Sequence, residues 1–152
     1  MQMDRDVYSG WLKLKGEEHE TTLSTANNYA VSLLRVKRFE EAKSVLRKMI
    51  PVARRVFGEG NRVTLTMSKV FAKALYLDTS ATLDDLREAV TTLGQLERTA
   101  RRVLGGAHPL SSAIEGDLRG ARAVLRARET GGAREPVSSK LNYRLAGYYH
   151  PL

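Results

Sequence analysis

Apolar residues recur at intervals of three and four along most of this chain, the spacing that lines one face of an α-helix. Between about Glu20 and Val36 they are Leu23, Ala26, Ala30, Leu33 and Leu34. A short polar turn, Lys37-Arg38, leads to a second stripe of Phe39, Ala42, Leu46, Met49, Ile50, Ala53 and Phe57. Glu40 and Glu41 at its start suit the positive end of a helix dipole. Pro51 lies inside this stripe and predicts a bend about one turn earlier, because proline removes a backbone donor. A third helix is predicted from about Arg62 to Asp78 on Leu65, Ala72, Leu75 and Tyr76. The loop DTSATLDD follows, and Thr82 caps a fourth helix with Asp84 and Asp85 in its first turn. That helix carries Leu83, Leu86, Val90, Leu93, Leu96, Ala100, Val103 and Leu104. A last helix over 108–129 uses Ile114, Leu118, Ala121 and Leu125, with Pro109 at a first helical position.

These elements repeat. The stretch beginning at Gly16 starts again at Gly58 and, more faintly, at Gly105, intervals of 42 and 47 residues. A period in that range marks a helical array in which each unit covers its neighbour's apolar face. Residues 16–57 form the first repeat, and 58–104 the second, lengthened by the loop insertion. Residues 105–130 form a closing helix whose outer face carries Arg119, Arg122, Arg126 and Arg128, as an array needs at its end. Residues 1–15 carry Val7, Trp11 and Leu14 on one stripe weakened by Gly10, and 2–15 align with Ser44–Phe57 under the 42-residue shift. The chain therefore opens partway through a unit, as a trimmed array or as an amino-terminal capping helix. Over 131–152, GGAREPVSS reads as a linker and KLNYRLAGYYHPL as a disordered tail. A tail folded over the array as a lid, or exchanged between two copies, is the minor reading.

Composition narrows the function. At 152 residues and 42% hydrophobic, the chain can bury a single core. Cysteine is absent, which removes disulfides, thiolate metal sites and thiol nucleophiles. No apolar run reaches the roughly 20 residues that span a bilayer, and there is no signal-peptide core, so the cytosol is the expected location and no membrane partner is expected. The net charge of +8 invites a nucleic-acid reading. The excess is spread, however: residues 1–57 carry 11 basic and 7 acidic side chains, 58–100 carry 5 and 6, and 101–152 carry 9 and 4. A solvated helical surface accounts for it.

The repeat residues resemble the tetratricopeptide family, specifically the long-repeat form of kinesin light chains. Units of that family open with a glycine-x-x-histidine-proline turn and a threonine-leucine pair. Here these are Gly16, His19, Thr22 and Leu23; then Gly58, Thr64 and Leu65; then Gly105, His108 and Pro109. Asn27-Asn28-Tyr29-Ala30 is similar to the family's asparagine pair, and Phe39-Glu40-Glu41-Ala42 to the opening of its second helix. The resemblance covers Gly16 to about Ala121. It departs at Glu20 and Arg62, which replace the proline, at Asn61, which replaces the histidine, and at Lys69-Val70, which replace the asparagine pair.

This resemblance implies an all-α fold, a right-handed superhelix of antiparallel helix pairs with about two and a half repeats. It implies that the first helices line a concave groove binding a protein or peptide, as an adaptor or scaffold. The groove positions it implies are Ser24, Asn27, Val31 and Arg35, then Thr66, Lys69, Lys73 and, by helical spacing, Tyr76, although the 42-residue shift selects Leu77. An amide at Asn27 both donates and accepts, which suits an extended peptide backbone. Lys69 and Lys73, one turn apart, suit an acidic ligand, which would relieve their mutual repulsion; the plain alternative is an exposed pair. Reversing both charges is then expected to weaken binding and leave helicity intact. The second reading is nucleic acid or an anionic surface. Arg54-Arg55 and Arg101-Arg102 recur at one repeat position and would form a basic convex stripe, without interleaved aromatic stacking residues. Catalysis is not expected: there is no serine–histidine–acid order, nucleotide-binding glycine pattern or paired catalytic carboxylate. His19, His108 and His150 lack ligand spacing, and two share one repeat position, which assigns them to helix starts rather than a metal. No cofactor is expected. Gly105-Gly106 reads as an inter-repeat turn rather than an anion site.

Overall fold

A computed structural model of the chain describes residues 1–131. Its described residues form six helices: α1 (Gln2–Lys15), α2 (Glu20–Arg35), α3 (Phe39–Phe57), α4 (Arg62–Leu77), α5 (Leu83–Leu104) and α6 (Pro109–Glu129). Each packs on the next, and α2 also touches α4, which touches α6. The first helices of successive units therefore stand side by side, with α3 and α5 behind them. This is an all-α repeat solenoid. The expected tail and lid lie, from residue 132 on, outside the described residues.

The three unit boundaries share one construction. Gly16, Gly58 and Gly105 close α1, α3 and α5 with φ of 80°, 84° and 88° and ψ of 175°, 168° and 154°. Their N–H groups donate to the carbonyls of Leu12, Arg54 and Arg101. A side chain is strongly disfavoured in this backbone region, which explains why glycine is spaced as it is. Gly58→Ala should therefore cost about 1–3 kcal/mol. A Cβ there would meet nothing within 4 Å, so the loss would be backbone strain and not a clash. Urea unfolding checks this, and a change below about 0.5 kcal/mol would contradict it.

Three residues on, the following helix is capped each time. His19 Nδ1 accepts from Thr21 N at 3.2 Å, Asn61 Oδ1 from Val63 N at 2.9 Å, and His108 Nδ1 from Leu110 N at 3.1 Å. The replacement of histidine by asparagine in the second unit is thus a change of acceptor with the cap preserved. The next repeat threonine reaches back across the turn: Thr22 Oγ1 donates to Trp11 O, and Thr64 Oγ1 to Ala53 O, each at 3.3 Å.

Inside the first unit, Lys37 takes φ of 61°, an unusual conformation for a residue with a side chain. Lys37 N donates to Leu34 O and Arg38 N to Leu33 O, the two bonds of a Schellman motif that ends α2 abruptly. The helix α3 continues unbroken through Pro51, which is exposed, so the proline does not divide it. In the second unit Thr82 and Asp85 form a reciprocal capping box, 2.9 Å and 3.1 Å. The Thr82 N–H holds the Asp85 carboxyl below its ordinary range. Arg128 of α6 braces the preceding loop, donating to Ala81 O at 2.8 Å. One of the arginines expected on the outer face therefore serves as a strut.

The core runs the length of the array. Leu23, Leu33, Leu46, Met49, Leu65, Leu75, Leu86, Leu93 and Ile114 are among its fully buried members. Packed against four other helices, α4 is buried on nearly every side from Val63 to Tyr76, Thr66 excepted. A helix apolar on most of its circumference belongs in such a central place.

Candidate functional site

The α2–α4–α6 layer holds every residue expected to line the groove, but not on an open surface. Ser24, Val31 and Thr66 are half-buried, and Arg35, at the end of α2, is exposed. Asn27 and Tyr76 are buried, and Lys69 and Lys73 are each only 4% exposed. The reading of the lysines as an exposed pair is therefore overturned: both are buried on α4, which α2 and α6 flank.

What sequence reasoning missed is Asp117. This α6 carboxylate places Oδ1 3.5 Å from Lys73 Nζ and accepts from the Tyr76 hydroxyl at 3.2 Å. Tyr76 thus makes the polar link to α6, as helical spacing indicates, whereas Leu77 packs as a half-buried apolar residue. A signal for Asp117 exists in the sequence. It lies on the inward side of α6 between Ala113, Ile114, Leu118 and Ala121, and an acid on an apolar stripe implies a cation facing it.

Burial governs the electrostatics of the cluster. The pKa of Lys69 is lowered from its ordinary 10.5 to about 8, by burial first and by the neighbouring Lys73 second, with Asp117 opposing both. Among the described residues, the carboxylate beside these two buried lysines is that of Asp117. Among the described residues the buried oxygens Asn27 Oδ1 and Asp117 Oδ2 have no hydrogen-bond partner, which leaves them acceptor capacity. This arrangement also changes the expected result of charge reversal. Glutamates at 69 and 73 would bury two further carboxylates beside Asp117, so loss of folding, not intact helicity, is the outcome to expect. Methionine is the informative replacement.

The arginines of the second reading lie on α3 and α5 and are exposed. Arg54 pairs with Glu59 at 3.0 Å and Arg55 with Glu18 at 2.8 Å. Arg101 pairs with Glu97 at 2.6 Å and approaches Glu115 at 3.6 Å. Arg102 makes no ion pair among the described residues. Of the histidines, His19 and His108 are the helix caps already described, His19 also stacking on Trp11 with ring centroids 5.8 Å apart; His150 lies outside the described residues. Among the described residues no cluster of three or more His, Asp or Glu could hold a metal, and no helix is long and apolar enough to cross a membrane.

The fold defines a helical-repeat protein. A family profile described as Tetratricopeptide repeat matches residues 22–62, from the threonine that bridges into α1 to the first residue of α4. Residues 22–62 are similar to a tetratricopeptide repeat, and the helices on either side pack in the same successive manner. No curated protein matches the chain.

Proposed function

We propose that the chain is a protein- or peptide-binding module, an adaptor or scaffold of the cytosol, whose ligand lies along the α2–α4–α6 layer and presents carboxylates to α4. Support comes above all from Lys69, a cation kept in a buried position that disfavours its charge, one turn from a second cation. Charge held against burial is characteristic of sites that act on something. An acidic ligand would offset the repulsion between the lysines, while Asn27 would serve the ligand's backbone and Ser24, Val31, Arg35, Thr66 and Tyr76 its flanks. The resulting activity is recognition, without chemistry.

A random peptide library displayed on phage and selected against the intact chain and its Lys69→Met variant tests this. Peptides enriched in aspartate and glutamate should emerge, and their affinity should fall at least about tenfold, or 1.4 kcal/mol, in the variant. Selection without acidic enrichment, or affinity indifferent to Lys69, would sink the reading.

The second reading, an anionic surface or nucleic acid on the convex side, is supported by the recurrence of Arg54-Arg55 as Arg101-Arg102 on exposed positions. It ranks lower because three of these four arginines are already paired with glutamates. Binding of a labelled RNA or DNA oligonucleotide that falls steeply with salt, and is lost when all four become glutamine, would promote it.

A further inference from the structure

The two ends of the solenoid differ in chemistry. Helix α1 rests on α2 through Tyr8 and Leu12, and is tied to it by Ser32 Oγ donating to Asp4 Oδ2 at 2.6 Å. Another face of α1 presents Met3, Val7, Gly10 and Leu14 at spacings of four, three and four. Met3 is 73% exposed, Val7 43% and Leu14 70%, among the most exposed large apolar side chains described. Under the 42-residue shift these positions fall on Val45, Met49, Val52 and Val56 of α3. There Met49 and Val52 are buried in the core and Val45 packs against it. The first three positions of the α1 stripe therefore match α3 positions that pack in the core of the array, whereas Val56, the counterpart of Leu14, is 40% exposed.

We infer that this α1 stripe is a self-association surface, on which a second copy of the chain packs its own α1 in antiparallel, two-fold fashion. The register is self-complementary. Pairing centred between Tyr8 and Ser9 sets Met3 against the partner's Leu14, and Val7 against the partner's Gly10. A Cβ at Gly10 would meet nothing within 4 Å, so its missing side chain leaves space for an incoming valine. Charge favours the same orientation: Asp6 and Lys13, both exposed, border the stripe on one side and come opposite each other in the two copies. A parallel pairing would oppose like to like. Head-to-tail stacking is disfavoured at the other end. Under the 47-residue shift Arg119 and Arg122 of α6 stand where α4 has the core residues Ala72 and Leu75, so stacking there would bury guanidinium groups on an apolar stripe. An isologous contact through α1 avoids this and closes after two copies. A 14-residue helix is about 21 Å long, so one helix pair buries less than the standard stable interface and should dimerise weakly, in the micromolar range.

Sedimentation equilibrium of the full chain, from about 1 µM to about 1 mM, tests the inference. A monomer–dimer equilibrium is expected, weakened at least about tenfold by Val7→Glu or Leu14→Glu with thermal stability unchanged, since both side chains are exposed. Asp6→Lys and Lys13→Asp should each weaken the dimer, and their combination should restore it. Because the chain has no cysteine, Met3→Cys and Leu14→Cys proteins can be mixed with a short bis-maleimide. The mixture should cross-link, and neither protein should cross-link to itself. A monomer at every concentration, a dimer indifferent to Val7 and Leu14, or linking between two Met3→Cys chains would each overturn the inference.

Discussion

Leu75→Ala should destabilise the whole array by about 2–5 kcal/mol, the range for a buried leucine truncated to alanine. Leu75 is fully buried on α4, and α4 is the element that touches α2, α3, α5 and α6. In a repeat array, stability is approximately the sum of each helix's own term and its interfaces with neighbours. A cavity in the helix shared by four interfaces weakens all of them together. Leu118→Ala on α6 provides the contrast, since α6 packs on α4 and α5 at one end. It should loosen that end while leaving α2 and α3 protected. Urea unfolding followed by circular dichroism gives the first quantity, and amide exchange resolved by helix gives the second. Leu75→Ala costing less than about 1 kcal/mol, or equal loss of protection in α2 from both variants, would show that α4 does not hold the array together.

Replacing Lys69 with methionine should have the opposite sign, raising stability at pH 7 by about 1–3 kcal/mol, and the gain should shrink as pH rises. The folded chain holds Lys69 near pKa 8, and the unfolded chain near the ordinary 10.5. Below pH 8 both states are protonated and the folded state bears the full penalty of a buried charge. Between about pH 8 and 10.5 the unfolded chain binds the extra proton, so folded stability rises with pH across that window. Each pKa unit corresponds to about 1.4 kcal/mol, which bounds the effect at roughly 3 kcal/mol. Methionine has a similar length and fills the same volume without charge, and Lys73 remains beside Asp117. Melting temperatures of the two proteins should therefore differ most at pH 7 and converge toward pH 10. A variant less stable than the parent, or a difference that does not change with pH, would refute the assignment of Lys69 as a charge held against burial. Such a residue, maintained at a cost in stability, is what the acidic-ligand reading requires.

The lysines also mark where reading by pattern stops. Helical spacing puts Lys69 and Lys73 on one face of α4 and Tyr76 beside them, and the structure has them there. Spacing along one helix carries no information about how closely α2 and α6 approach that face. Hence an apparently exposed pair proves to be buried, and Asp117, 44 residues away from Lys73 in sequence, proves to be its partner. The helix α3 runs on through Pro51, whose flanking residues Met49, Ile50, Val52 and Ala53 are all buried. Burial of these neighbours holds the helix together across the lost hydrogen bond.

By itself the sequence determined the six helices, their order and the repeat. Three- and four-residue spacing, glycine at positions that require φ near 85°, and a side-chain acceptor three residues later are local instructions, readable one turn at a time. The tertiary structure alone decided the burial of the candidate groove's lysines and the asymmetry of the two ends. Both depend on which surfaces are brought together or left bare, and desolvation acts on residues that only the packed array makes neighbours.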